Sequence, residues 1–171
     1  MIKVLFETHH LYYLPNFLPI VDEFKNRCKY DIYFSMPQQI NQKERDLFCL
    51  ACKDLGLNTI DANDEELRIK KILNENFSII LVANVGQITK IASDNALTVM
   101  VYHGIGLKQS YYNDIDDRID IRSVESESRY QKLLIQSNSA DLALTGFTKI
   151  DPLYTTNEKA NKRLKDSIGI K

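Results

Sequence analysis

The chain has 171 residues, of which 44% are hydrophobic and 26% are charged, a composition typical of one folded domain and unlike that of a disordered chain. Its 22 lysines and arginines nearly balance its 23 aspartates and glutamates, so the formal net charge of -1 supplies no overall attraction to nucleic acid or anionic lipid. No apolar run has the length of a transmembrane helix, and the first residues do not have the pattern of a signal peptide. We therefore expect a soluble cytoplasmic domain without a nucleic-acid partner.

The cysteines favour a reducing compartment, because the three of them, Cys28, Cys49 and Cys52, cannot all pair. Cys49 and Cys52 have the C-x-x-C spacing of some redox and zinc sites. No second pair of cysteines or histidines lies at metal-ligand spacing, so we predict no metal site. We expect the C-x-x-C cysteines to be small buried residues on a helix.

Taken in order, the chain alternates predicted strands with predicted helices. Short apolar runs are typical of strands covered on both faces, and apolar residues three or four apart are typical of helices with one buried face. The predicted strands are residues 2–6, 30–34, 57–60, 78–83, 97–102, 119–124 and 141–145. The predicted helices are residues 11–27, 41–55, 63–73, 88–92 and 125–134.

Two helix starts can be predicted in more detail. If Asn16 is the N-cap of the first helix, Pro19 lies in the first turn, where its missing N–H costs nothing. Residues 41–44, Asn-Gln-Lys-Glu, have the capping-box pattern, and Gly56 is a suitable residue to end that second helix.

This alternation predicts an α/β fold, a Rossmann-like and mainly parallel sheet with helices on both faces. Parallel strands end at one edge of the sheet, where ligands bind in such folds. The fingerprint G-x-G-x-x-G is absent after the first strand, so no dinucleotide cofactor is expected. The segments predicted to meet at this edge are 7–10, 84–86, 103–108, 125–126 and 146–149.

The segment after the fifth predicted strand, His-Gly-Ile-Gly-Leu-Lys at 103–108, contains the strongest candidates for chemistry. His103 could take a proton from a hydroxyl in a displacement reaction, or it could be a structural histidine bonded to the backbone. Gly104 and Gly106 would let backbone N–H groups approach a ligand, although such glycines also mark tight turns. Lys108 could hold a phosphate, or it could be an ordinary exposed lysine.

Other polar residues at the same edge are candidate substrate contacts. His9 and His10 could bind a substrate hydroxyl, or one could pack while the other is solvated; without a third ligand they make a poor metal site. Asn84 and Gly146 follow two further strands. Glu125 could add a carboxylate to the site, but it equally favours the positive N-terminus of the next helix, which is the interpretation that we prefer.

Two segments resemble those of a known enzyme family. Residues 103–108 resemble the H-G-x-x-x-K segment of the CDP-glycerol glycerophosphotransferases, the teichoic acid primases and polymerases. Residues 145–153, Thr-Gly-Phe-Thr-Lys-Ile-Asp-Pro-Leu, resemble the T-G-[YF]-x-[KR]-x-D-x-L segment of that family, and the distance between the two segments is similar as well. The glycine and aspartate of the second segment also occur in UDP-N-acetylglucosamine 2-epimerases and other enzymes with two Rossmann-like domains, the GT-B architecture.

The resemblance implies the amino-terminal domain of a GT-B enzyme that transfers glycerol phosphate from CDP-glycerol to an acceptor hydroxyl, in the synthesis of a teichoic-acid-like or capsular polymer. His103 would be the general base, Gly104 its loop partner and Lys108 a phosphate contact. Gly146 and Asp151 would be structural residues at the interdomain turn. The resemblance further implies a lipid-linked acceptor and peripheral contact with the inner face of the plasma membrane.

The domain organisation that follows has residues 1–154 as the acceptor-side domain and residues 155–171 as a basic helical linker to a carboxyl-terminal domain. That second domain would hold most of the CDP-glycerol contacts, so we expect the 171 residues alone to be inactive. Two alternatives stay open. One is a half-domain of an epimerase or another GT-B glycosyltransferase, and the other is a non-catalytic module that binds a ligand at the same edge.

Overall fold

The structure is a computed structural model that describes residues 1–104, 118–136 and 140–154. Within these ranges all strands but the fifth are followed by a helix before the next strand begins. The strands are β1 (Ile2–Glu7), β2 (Tyr30–Ser35), β3 (Asn58–Ile60), β4 (Ile79–Val82), β5 (Leu97–Met100), β6 (Ile121–Val124) and β7 (Asp141–Leu144). The helices are α1 (Leu14–Asn26), α2 (Gln42–Asp54), α3 (Glu65–Glu75), α4 (Ile88–Ile91), α5 (Glu127–Ile135) and α6 (Asp151–Tyr154), with 3-10 turns at Leu11–Tyr13 and Thr148–Ile150.

The seven strands form one sheet in the order β3-β2-β1-β4-β5-β6-β7, and every neighbouring pair is parallel. β1 lies at the point where the order reverses, because Val4 pairs with Ile32 of β2 on one side and Ile79 of β4 on the other. The predicted Rossmann-like α/β fold is therefore confirmed. All seven strands end at one edge of the sheet, which we call the carboxyl edge.

Two apolar clusters cover the two faces of the sheet. Phe6 of β1 stacks on Phe34 of β2 at 4.9 Å between ring centroids, and Phe17 of α1 packs against both. Leu5, the neighbour of Phe6 along β1, belongs to the other cluster, with Ile72 of α3. Helices therefore shield both faces, which explains why the strands are almost continuously apolar.

The predicted start of the first helix is wrong. α1 begins at Leu14, with Pro15 in the first turn and Pro19 inside the helix. Asn16 is not the cap: it is buried, and its Nδ2 donates a hydrogen bond of 3.2 Å to the Tyr13 carbonyl. The preceding 3-10 turn already bends the chain, so the helix starts earlier and Pro15 takes the first-turn place that suits a proline.

The predicted start of the second helix is confirmed. The Asn41 side chain accepts a hydrogen bond of 3.0 Å from the Glu44 backbone N–H, as an N-cap does. Gly56 follows that helix with a positive φ of 62°, the conformation that glycine adopts most readily.

Some predictions fall on residues that are not described. The basic linker at 155–171 lies outside the described residues, and so do Gly106 and Lys108. In the described part of the chain, no helix has both the length and the apolar character needed to cross a membrane.

Candidate functional site

The carboxyl edge brings three predicted site residues to the point where the strand order reverses. β1 leads into His9, β4 leads into Asn84 and β5 leads into His103. In open α/β sheets ligands bind in the crevice at this point. The three side chains nevertheless have different surroundings.

His103 is held in one orientation and one tautomer. Its Nδ1 lies 2.9 Å from the carbonyl oxygen of Ala83, the residue that follows β4. Because a carbonyl oxygen only accepts, Nδ1 carries the proton and Nε2 carries the lone pair in the neutral ring. The half-buried ring also stacks on Tyr13, with 4.4 Å between ring centroids and 23° between planes. This arrangement suits a group that accepts a proton from a substrate.

Two tyrosines that the sequence analysis did not select belong to the same site. Tyr13 is buried under His103, and its hydroxyl accepts a hydrogen bond of 3.2 Å from Asn84 Nδ2. Tyr12 is half exposed; it lies edge-on to His103 and stacks on His10 at 5.2 Å between centroids. The only signal in the sequence was the position of both tyrosines just after the histidine pair.

His10 is anchored by the second helix. Its Nδ1 lies 3.3 Å from Glu44 Oε1, and the same oxygen accepts a hydrogen bond of 2.8 Å from the Leu11 backbone N–H. The ring is half exposed while its neighbour His9 is buried. The structure thus agrees with the alternative in which one histidine packs and the other is partly solvated.

His9 is only 6% exposed, and neither of its ring nitrogens has a hydrogen-bond partner among the described residues. The ring lies against Gly86, where a Cβ would stand 1.8 Å from His9 Nε2. Burial lowers the pKa of His9 to about 4, and the positive charges of Arg68 and of protonated His10 act in the same direction, against a smaller opposing effect of Glu65. His9 is therefore neutral at pH 7.

Acid is expected to destabilise the fold through His9. Below its usual pKa of 6.5 the imidazole takes a proton in the unfolded chain but stays neutral in the folded one until the pH reaches about 4. Stability is therefore lost as the pH falls through this window, by about 2 kcal/mol between pH 7 and pH 5. Urea unfolding at both pH values measures the loss, and His9→Leu should reduce it by that amount. An equal loss in the variant would contradict this account.

A buried ionic network lies beside His9, and nothing in the sequence analysis predicted it. Arg68 Nη1 donates to Glu7 Oε2 at 2.9 Å and to Ser35 Oγ at 2.6 Å, while Nη2 donates to Glu65 Oε1 at 2.6 Å. The Gln38 backbone N–H donates to the other Glu65 oxygen at 2.7 Å. Burial raises the pKa of Glu7, and the Arg68 guanidinium partly offsets that rise. The network joins the ends of β1 and β2 to the start of α3.

Glu125 lies just before α5 and pairs with an arginine of that helix. Its carboxylate accepts a hydrogen bond of 2.8 Å from Arg129 Nη1, and Ser126 caps α5 by accepting one from the Arg129 backbone. The Arg129 guanidinium lies 3.8 Å from the centre of the Tyr102 ring. Both Arg129 and Tyr102 are buried. These contacts hold the Glu125 carboxylate against the first turns of α5.

The two remaining predicted glycines differ in what the structure shows. Gly146 has a positive φ of 79° and leads the chain away from β7. Two residues later the Thr148 hydroxyl donates a hydrogen bond of 2.7 Å to the Asn16 carbonyl, so the segment returns to the start of α1. Gly104 directly follows His103 at the carboxyl edge and is half-buried.

The cysteines are free thiols in different environments. Cys52 is fully buried in α2, and burial raises its pKa to about 12; Cys49 is half-buried and its pKa is also raised, while Cys28 is exposed. Since the thiolate is the reactive form, Cys52 is chemically protected. Within the described residues no group of three or more His, Cys, Asp or Glu side chains could hold a metal ion.

Thiol labelling should distinguish these cysteines. We expect a disulfide reagent at neutral pH to modify Cys28 within minutes and Cys52 only after unfolding. Mass spectrometry of the labelled peptides identifies each site, and the same reaction in urea serves as the control for full labelling. Rapid modification of Cys52 in the folded chain would contradict the structure.

No protein-family model matches the sequence, and no curated protein is significantly similar to it. The resemblance to CDP-glycerol glycerophosphotransferases therefore rests on the two motifs.

Proposed function

We propose that this chain is the acceptor-side domain of a CDP-glycerol glycerophosphotransferase-like enzyme, in which His103 removes the proton from an acceptor hydroxyl. The observation that supports the proposal most is the 2.9 Å hydrogen bond from His103 Nδ1 to the Ala83 carbonyl. It leaves the lone pair on Nε2, which is what a general base needs. The ring follows β5 at the carboxyl edge, where Rossmann-like sheets bind ligands.

In the proposed reaction the acceptor oxygen attacks the β-phosphorus of CDP-glycerol while its proton passes to His103 Nε2. A new oxygen–phosphorus bond forms, the bond from the β-phosphorus to the bridging oxygen breaks, and CMP leaves with that oxygen and its electron pair. Tyr13 acts as a positioning residue, because its ring stacks on His103 and its hydroxyl is tied to Asn84. Phosphoryl transfer depends mostly on such positioning and on charge stabilisation.

The proposal extends to the rest of the enzyme. A second domain would hold the cytidine and phosphate groups, and the acceptor would be a lipid-linked polymer at the inner face of the plasma membrane. The transfer reaction is thus assigned to a protein that combines both domains, with the present residues supplying the base.

Release of CMP tests the proposal. The protein at its full encoded length is incubated with CDP-glycerol and a glycerol-phosphate-primed acceptor, and CMP is quantified by chromatography. We expect CMP release that requires both substrates. Turnover of UDP-N-acetylglucosamine without turnover of CDP-glycerol would instead favour an epimerase or glycosyltransferase, and binding without any transfer would favour a non-catalytic module.

A further inference from the structure

We propose that a second site, the His9 crevice between the residues that follow β1 and those that follow β4, binds a neutral hydroxyl-bearing group. In this structure Gly86 lies directly against the His9 ring. The site goes beyond the proposed function, since it does not depend on His103 being a base.

The first observation is that several buried polar atoms in the residues that follow β1 and β4 have no hydrogen-bond partner among the described residues. Both ring nitrogens of His9, the hydroxyl of Thr8 and the side-chain carbonyl oxygens of Asn84 and Gln87 are buried without a hydrogen-bond partner in the described structure. Each such group costs free energy when it is removed from water and left unpaired. In folded proteins such groups are satisfied by ordered water or by a ligand, and they occur at functional sites.

The second observation is that a single glycine, Gly86, lies between the His9 ring and the solvent. Gly86 is exposed on its outer side, has a positive φ of 50° and leaves the place of a side chain to the His9 ring. Next to it, Gln87 Nε2 donates a hydrogen bond of 2.8 Å to Gln39 Oε1. Gln39 follows β2 and Gln87 follows β4, so this bond spans the end of β1, which lies between them in the sheet. We call it the glutamine clasp.

The chemistry of the crevice selects the ligand. A neutral imidazole has one nitrogen that donates a hydrogen bond and one that accepts a hydrogen bond. It therefore matches hydroxyl groups, which both donate and accept hydrogen bonds. The unsatisfied oxygens of Asn84 and Gln87 need further donors. The adjacent network has two carboxylates, Glu7 and Glu65, around the one guanidinium of Arg68, so an anion gains nothing there. Vicinal hydroxyls of a polyol or of a ribose fit these requirements, and phosphate does not.

Imidazole NMR tests the proposal directly, because the whole chain has only three histidines. The full chain is titrated with glycerol, with cytidine and with inorganic phosphate, and the His9 signals are assigned by their loss in His9→Leu. We expect saturable shifts of the His9 ring signals with glycerol, cytidine or both, and none with phosphate. The stronger of the two ligands identifies the polyol or the ribose as the source of the hydroxyls.

A clasp variant sharpens the test. Gln39→Ala removes one partner of the clasp without touching the unsatisfied atoms, so opening becomes easier and the dissociation constant should fall about 2- to 10-fold, the worth of one neutral hydrogen bond. The matched control is Gln131→Ala, which removes an exposed glutamine bonded to Glu127 on α5 and should change nothing. His9→Leu should abolish binding while the chain remains at least as resistant to urea at pH 7.

Several results would overturn the proposal. One is that the His9 signals shift with neither glycerol nor cytidine, in the parent chain and in Gln39→Ala alike. The others are that the signals shift with phosphate alone, or that His9→Leu binds the ligand as well as the parent chain does. Should His9→Leu fail to fold, the comparison of Gln39→Ala with Gln131→Ala still decides the question. CMP release in the full-length protein is measured separately, so failure of this site and failure of the proposed function can be told apart.

Discussion

Replacing His103 by glutamine is expected to lower kcat for CMP release by about 10²- to 10⁴-fold, the usual contribution of a general base. Glutamine fills much of the space of the ring with a neutral polar side chain. It cannot take a proton from the acceptor hydroxyl. Turnover by the full-length protein at saturating CDP-glycerol measures the effect, and the far-ultraviolet circular dichroism should be that of the parent.

His103→Ala provides a matched comparison for the role of the ring. That variant leaves a space beside Tyr13 that added imidazole can enter, so free imidazole should restore part of the activity. The glutamine variant fills the space and should not respond. Near-normal turnover in either variant without imidazole would remove His103 from the mechanism.

The second large effect concerns stability. Arg68→Met is expected to lower the free energy of unfolding by about 3–5 kcal/mol, the cost of breaking a buried ion pair by removing one partner. Both Arg68 and Glu7 have fully buried side chains, so the variant leaves the Glu7 carboxylate without its counterion. Ser35 and Glu65 lose hydrogen bonds from the same guanidinium. Urea denaturation at pH 7 measures the change.

Two further variants show how much of the loss of stability comes from the burial of the ion pair and how much from the unpaired charge of Glu7. Arg27→Met breaks an exposed pair with Glu23 on α1 and should lower the free energy of unfolding far less, because water screens such pairs. Adding Glu7→Gln to Arg68→Met removes the unpaired charge and should recover part of the loss. If Arg68→Met proved as mild as Arg27→Met, the buried network would not be a major source of stability.

The boundaries of most helices and strands could be predicted from local sequence patterns. The start of α1 is an exception and shows what such patterns do not contain. Asn41 has a glutamate three residues later, and both act on the same helix start, so the prediction held. Asn16 has cap chemistry as well, but a 3-10 turn upstream moved the helix start to Leu14 and made Asn16 a buried residue. The competing turn depends on how residues 11–13 pack, which no local pattern of residue types encodes.

The sequence by itself determined the parallel sheet and the edge at which His9, Asn84 and His103 would meet. The strands can be predicted because their apolar pattern is local. Parallel strands end at the same edge of a sheet, so the residues that follow them lie at that edge. Only the tertiary structure decided what each side chain does there: Ala83 sets the tautomer of His103, Gly86 covers His9, and Arg68 pairs with Glu7 across 61 positions of the chain. These roles depend on distances between residues that are remote in sequence, and such distances exist only once the helices have packed on the sheet.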